Sequence, residues 1–305
     1  MKKSLLIIFA FLAFQSSFAQ KTIVTTVLKF SGLVGQYPID LTLNIDKNNQ
    51  NIRGQYYYTK KNGDNTISVN GNLKNKQLAL TETSYSRQKD KDLTTGFFNL
   101  QMADDYTANG TWLNANKSTK LSCKIRPYTN LKSSPVDNFN YTLIQKKDKN
   151  KDLKITGLKI YQNNNLIQTI TGFDEYVFEN EAIVELEDLN FDSILDIKIP
   201  VYFPNKIKND GSYLYFIYDT VKKQFVRNST LENMGYLDFF PIDKTVRLYD
   251  ADGNGNEGTK FYQWFNNKPL LTKEERIFEG KNYTEVSIYK IDNGKSVLVS
   301  KTKKK

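Results

Sequence analysis

Apolar and polar residues alternate along most of this chain with a period of two, the pattern of strands that turn one face to a core and the other to water. In the first half the alternation comes in short runs: Thr22 to Phe30, Ile39 to Ile45, Ile52 to Thr59, Thr66 to Leu73, Gln77 to Thr83, Thr95 to Met102, Thr107 to Leu113 and Lys120 to Ile125. Gly, Asn and Asp separate the runs at the spacing of antiparallel hairpins, which predicts a sandwich or a small barrel. Gly54, Gly71, Gly96 and Gly110 fall inside these runs, where bends or bulges are the usual cause. No stretch carries a sustained helical period.

A segment without apolar period, Arg126 to Asn138, holds Pro127, Ser133, Ser134 and Pro135 and predicts a joint between domains near Ser134. Beyond it, hairpin units recur in which an aromatic strand end leads through a polar turn to an apolar return. Tyr161 passes through Asn163, Asn164 and Asn165 to Leu166, and Tyr218 through Asp219 and Lys223 to Phe225. Tyr262 and Trp264 pass through Asn266 and Asn267 to Leu270, and Tyr289 through Asp292, Asn293 and Gly294 to Val297. These units predict a β-meander packed as an irregular propeller or a sandwich. The expected organisation is all-β, with residues 1–19 an export signal, 20–134 an N-terminal β domain and 135–305 a C-terminal β domain.

The export signal rests on Lys2 and Lys3, the apolar run Leu5 to Phe14, and the exit through Ser16, Ser17, Phe18 and Ala19, after which cleavage is expected. That run is far shorter than the roughly twenty residues of a membrane-spanning helix. No cysteine follows it to carry a lipid, so the expectation is no membrane anchor and release to the periplasm or the exterior. The formal charge is +10, or +8 without Lys2 and Lys3. The lysines are scattered and no basic cluster interleaves with aromatics, so nucleic acid is not the expected partner. The chain has no histidine, which excludes Ser-His-Asp and Cys-His catalysis and histidine-ligated zinc or iron. The single cysteine, Cys123, alternates with Leu121 and Ile125 and is expected to be a buried, inert thiol.

The sharpest local signal is the run Glu187, Asp188, Leu189, Asn190, Phe191, Asp192, Ser193, Ile194, Leu195, Asp196. Oxygen side chains stand at the first, third, fifth and ninth loop positions, with a backbone carbonyl at the seventh, a spacing that suits a calcium ion requiring many hard oxygen ligands. The candidate metal ligands are Asp188, Asn190, Asp192, Ile194 through its carbonyl, and Asp196. The loop is not an EF-hand, because Ser193 replaces the turn glycine, Ile199 stands where the closing carboxylate belongs, and strands flank it.

With Tyr213 to Phe225 and the segment holding Tyr262, Trp264, Asn267, Lys268 and Leu270, this loop resembles a group of small periplasmic proteins with an integrin-α-like (FG-GAP-type) calcium loop. That group includes immunity proteins that block peptidoglycan-cleaving toxins and lysozyme-inhibitor-like proteins. The resemblance spans about Tyr141 to Phe278, and Ser193 departs from the glycine common in such loops. It implies a β fold, bound calcium and an inhibitory or immunity role.

Weaker candidates are a second acidic loop, Asp250 to Gly258, read equally as a calcium site or a tight turn, and Asp148, Asn150 and Asp152, read as a solvated turn. Gly253, Gly255 and Gly258 match a dinucleotide motif but lead into a strand, not the helix that chemistry needs. Asp174, Glu175, Glu179, Glu181, Glu185 and Glu187 leave open a carboxylate pair for glycoside hydrolysis, although acidic residues on a wet strand face explain them more simply. The expected function is an exported, non-enzymatic, calcium-stabilised binding protein of the bacterial envelope, with an envelope protein or glycan as partner. Its alternatives are an inhibitor or immunity protein against a peptidoglycan hydrolase, and a carboxylate-dependent enzyme acting on polysaccharide.

Overall fold

The computed structural model describes residues 21–61, 66–87, 89–131, 136, 138–177, 181–202 and 211–305. The expected export signal, Ser133, Ser134 and Pro135 of the expected joint, and Glu179 lie outside the described residues.

All eight alternating runs of the first half become strands: β1 (Ile23–Val34), β2 (Tyr37–Asp46), β3 (Asn51–Tyr58), β4 (Ile67–Lys74), β5 (Gln77–Ser86), β6 (Lys91–Met102), β7 (Ala108–Asn114) and β8 (Lys120–Pro127). Each pairs antiparallel with the next, and β8 returns to β1 with Phe30 opposite Pro127 and Val34 opposite Cys123. The sheet therefore closes into an up-and-down barrel, which removes the edges an open sheet would expose. Its inward positions, among them Phe30, Leu43, Ile52, Leu78, Leu100 and Ile125, are almost wholly buried, so side chains fill the interior. Cys123 is buried there and its thiol is pushed up to about 12 by burial, which keeps it protonated.

One carboxylate enters this core. Glu82 is buried and accepts hydrogen bonds from Tyr56 Oη at 2.7 Å, Trp112 Nε1 at 2.7 Å and Thr95 Oγ1 at 2.6 Å. Gly96 makes room for this arrangement, since a β-carbon there would stand 2.5 Å from Trp112 Nε1.

After the barrel come β9 (Phe139–Lys147), β10 (Leu153–Gln162), β11 (Asn165–Val177), β12 (Ile183–Glu187), β13 (Asp196–Tyr202), β14 (Gly211–Asp219) and β15 (Gln224–Arg227). These strands extend the barrel's own sheet. On one edge of β1, residues Phe30 to Val34 bind β8, whereas Ile23 to Thr26 bind β12 in parallel register, Ile23 opposite Ile183 and Thr26 opposite Leu186. A parallel pairing joins segments far apart in sequence.

The remaining strands, β16 (Leu237–Phe240), β17 (Thr245–Ala251), β18 (Glu257–Phe265), β19 (Lys268–Ile277), β20 (Thr284–Asp292) and β21 (Lys295–Lys304), form a separate six-stranded antiparallel meander. The recurrent hairpins are all present, two in the first sheet and two in the second. Their turns explain their sequence: Asn163 and Asn164, Asn266 and Asn267, and Asn293 and Gly294 all have positive φ. Two successive left-handed residues match the twist of paired strands, and Asn and Gly tolerate that conformation best. Among the described residues one short α-helix, α1 (Ser229–Met234), lies between the two sheets in sequence. Six residues are too few to display a helical period, and the signal it does carry is a cap, Asn228 Oδ1 accepting from Leu231 N at 3.1 Å.

Glu82→Ala strands three donors inside the barrel and should lower unfolding free energy by at least about 2 kcal/mol, measured by urea denaturation. An unchanged midpoint would show that the network contributes nothing.

Candidate metal loop and adjoining cleft

Glu187 closes β12 opposite Asp196, which opens β13, so the candidate loop is the connection of one antiparallel hairpin. Its side chains fold back on its own backbone. Asp188 accepts from the amides of Asp192 and Ser193, both at 3.0 Å, one on each oxygen. Asn190 Oδ1 accepts from Asp192 N at 3.2 Å, and Asp192 Oδ1 from Ile194 N at 2.9 Å. Asn190 Nδ2 donates to Asp192 Oδ2 at 2.9 Å. Asp196 reaches further, accepting from Leu189 N at 3.0 Å and from Tyr218 N of β14 at 2.8 Å. Ser193 takes the left-handed conformation with φ of 72°, as does Phe191 at 62°. These are values that side chains usually avoid.

Charge is distributed unevenly around this hairpin. Glu187 lies 2.7 Å from Lys29 Nζ and 2.6 Å from Lys198 Nζ, and Lys198 also lies 3.1 Å from Glu185. Burial alone would raise the Glu187 carboxyl, but the Lys198 and Lys29 ammonium groups outweigh it and hold the acid down at about 2. Lys198 is itself raised well above the ordinary lysine value, its desolvation overcome by Glu187 and Glu185. One residue further on, Asp188 is raised to about 7, chiefly by burial and further by Asp192, against the amides it accepts from. Asp196, almost completely buried, is raised well above the ordinary value by burial, with Asp192 and Asp188 adding to the effect. Among the described residues no cationic side chain pairs with Asp188, Asp192 or Asp196.

The loop's donor set is all oxygen and anchored at both ends, as a hard cation requires. Each carboxylate oxygen accepts at least one hydrogen bond, and Asp188 accepts from the amides of Phe191, Asp192 and Ser193. No group of three or more His, Cys, Asp or Glu side chains arranged to hold a metal ion occurs among the described residues. Asp188, Asn190, Asp192, Asp196 and the Ile194 carbonyl, the expected calcium ligands, are present in one hairpin connection with their side chains turned onto its own amides.

The loop also joins the two sheets. Leu189 is fully buried with Tyr215, Leu231, Leu237, Phe239 and Val246, and Phe191 and Trp264 pack against that cluster. Trp264 Nε1 of the meander donates to the Leu189 carbonyl at 2.8 Å.

Between the sheets lies a cleft of about 710 Å³. One wall is the outer face of the barrel, where alternation along β2 and β3 presents Asp40, Thr42, Asn44, Gln55 and Tyr57. The facing wall is the start of the meander, with Tyr236, Asp238 and Phe240. Glu185, Glu187, Lys29 and Lys198 also line it, and Lys29 donates to the Phe239 carbonyl. Lys198 lies over the Tyr213 ring, 4.9 Å from its centroid. Sequence reasoning missed this cleft, and it read Glu187 as belonging to a wet strand face.

The other candidates resolve as turns and surface pairs. Asp252 accepts from Asn254 N at 2.8 Å and from Asn256 Nδ2 at 2.7 Å, while Asp250 pairs with Lys260 at 3.5 Å. Asp148 accepts from Asn150 N at 2.8 Å and Asp152 N at 3.0 Å, which makes it a turn acceptor. Asp174 pairs with Lys146 and Lys154, each at 3.0 Å.

No protein-family model matches the chain, and no curated protein matches it. Among solved structures it is similar to a Xanthomonas protein related to the type IV secretion system, with 14% identity, a TM-score of 0.42, and coverage of 54% of this chain and 90% of that one. It is also similar to a putative 6-phosphogluconolactonase from Bacteroides uniformis, with 8% identity, a TM-score of 0.23, and coverage of 89% and 94%. Likenesses this distant carry no argument about activity.

Lys198→Met leaves a buried carboxylate short of a partner and should cost about 3 kcal/mol or more. Urea unfolding measures it, and adding Glu187→Gln should restore part of the loss. The two kinds of carboxylate also predict opposite pH responses. Glu187, held at about 2 against an ordinary 4.5, contributes stability that disappears as pH falls between those values. Asp188, raised to about 7 from 3.8, favours the fold while protonated, so in chelator its contribution should be lost as pH rises through that interval. Thermal melts across pH in chelator check both, and Asp188→Asn should lessen the loss in the upper window, to which Asp196 also contributes, without changing the lower one.

Proposed function

We propose that this chain is an exported, non-enzymatic binding protein of the bacterial envelope, stabilised by calcium at Asp188, Asn190, Asp192, Ile194 and Asp196. The observation that carries the reading is the contrast between neighbours: buried Glu187 has two lysines, whereas buried Asp188 and Asp196 have no cation among the described residues. A buried ionised carboxylate without a counter-charge costs several kcal/mol, and an ion bound by hard oxygens would remove that penalty. The loop's grip on Leu189 and Trp264 gives calcium a mechanical role, that of fixing the meander against the first sheet and so holding the cleft open at a set width.

The cleft is the surface on which an envelope glycan or protein would dock. Its size suits a ligand of small-molecule or short-oligomer dimensions. The non-enzymatic reading is supported by Glu187, whose acid is held low by two lysines and is therefore a poor proton donor near neutral pH.

Calcium at roughly a hundredfold excess over its dissociation constant adds about 2.7 kcal/mol to a folded state that alone binds it. The melting temperature should accordingly rise by several degrees in calcium and fall back in chelator. Asp188→Asn combined with Asp192→Asn should abolish the shift. Identical melting in calcium and chelator, with no calcium binding by calorimetry, would refute the proposal.

A further inference from the structure

We infer that the cleft between barrel and meander takes an amino-sugar oligosaccharide, a neutral to cationic glycan. The inference rests on the binding-protein reading and names the ligand class for its cleft. Charge decides first. The lining carries four carboxylates, Asp40, Glu185, Glu187 and Asp238, against two lysines, Lys29 and Lys198, although the whole chain is strongly basic at +10. Both lysines are committed. Lys29 holds Glu187 and the Phe239 carbonyl, and Lys198 holds Glu187 and Glu185. Nearby Arg247 is likewise bound, 2.6 Å from Asp243 and stacked 3.7 Å from the centre of the Phe240 ring. An acidic polymer would therefore meet surplus carboxylate and, among the described lining residues, no free cation, while an amine would find its acceptor in Asp238, since Asp40 already accepts from the Tyr128 and Tyr57 hydroxyls.

The shape of the polar groups decides next. Thr42, Asn44 and Gln55 project from alternate positions of neighbouring strands beside Tyr57. Such a ladder offers hydroxyl and amide donors and acceptors to a ligand rich in hydroxyls, next to aromatic faces. An extended peptide would instead seek an unpaired strand edge. The barrel strands of the cleft are paired on both sides. The free edge of β16 is occupied, because the Leu237 amide donates to Tyr215 Oη and Lys29 Nζ donates to the Phe239 carbonyl. What the cleft presents is side chains, as glycan recognition needs.

Calorimetric titration of the full chain with the glucosamine tetramer, the N-acetylglucosamine tetramer, a galacturonate tetramer and tetralysine tests this, each in calcium and in chelator. The glucosamine tetramer should bind most tightly and the acetylated tetramer more weakly, with no heat from galacturonate. Asp238→Asn should weaken the glucosamine tetramer about tenfold, the scale of one charge-assisted hydrogen bond, with an unchanged melting temperature. Tyr236→Ala, at an exposed rim position, should weaken both amino-sugar tetramers. Absence of binding by both, tighter binding of galacturonate or tetralysine, or an unaffected Asp238→Asn variant would overturn the inference. Sugar binding that persists equally in chelator supports the cleft and removes calcium's role in setting its width. Calcium binding without sugar binding overturns the cleft and leaves the calcium reading standing.

Discussion

Lys29 stands where β1 exchanges one partner strand for another, between the residues that bind β12 and those that bind β8. From that position its ammonium group reaches Glu187 at the end of β12 and the Phe239 carbonyl of the meander. Three parts of the molecule thus converge on one side chain, and Lys198 completes the charge balance from β13. The arrangement is costly to desolvate and stabilising only when every partner is present. It therefore specifies how the barrel, the extended sheet and the meander meet more than it adds to their separate stability. The walls of the cleft are set by the same contacts.

The candidate metal loop begins one residue after Glu187 and follows the opposite electrostatic rule. On one side of the hairpin end the chain neutralises a buried carboxylate with lysines, and on the other it buries Asp188 and Asp196 with, among the described residues, backbone amides as their partners. Amide donors hold the carboxylates in place without cancelling their charge. In the proposed reading an ion does so, and the coupling to Leu189 and Trp264 carries its effect to the meander. Binding strength would then depend on the loop through geometry, with no contact between calcium and ligand.

The barrel was legible because its strands follow one another with short turns, so alternation and Asn- or Gly-rich connections report each element locally. The meander hairpins were legible for the same reason, through turns such as Asn266 and Asn267. The β1 to β12 pairing carried no local sign, since its partners are about 160 positions apart in sequence and a parallel register leaves no turn between them. Lys29 and Lys198 looked like any of the scattered lysines, and only the fold makes them partners of the buried Glu187. The loop residues were visible by spacing, whereas the bonds from Tyr218 N to Asp196 and from Trp264 Nε1 to the Leu189 carbonyl come from residues distant in sequence. The cleft draws on β2, β3, β12, β13 and β16 together, so no single window of sequence could display it.

Hydrogen exchange of the full chain with and without calcium tests the central claim, that the loop clamps the two sheets through an ion. The account predicts slower exchange at the amides of Leu189, Asp192, Ser193 and Tyr218, which donate to the loop carboxylates. It also predicts slower exchange across Leu237–Phe240 on the far wall of the cleft. Exchange that calcium leaves unchanged, or slows in the loop without any effect on that strand, would contradict it.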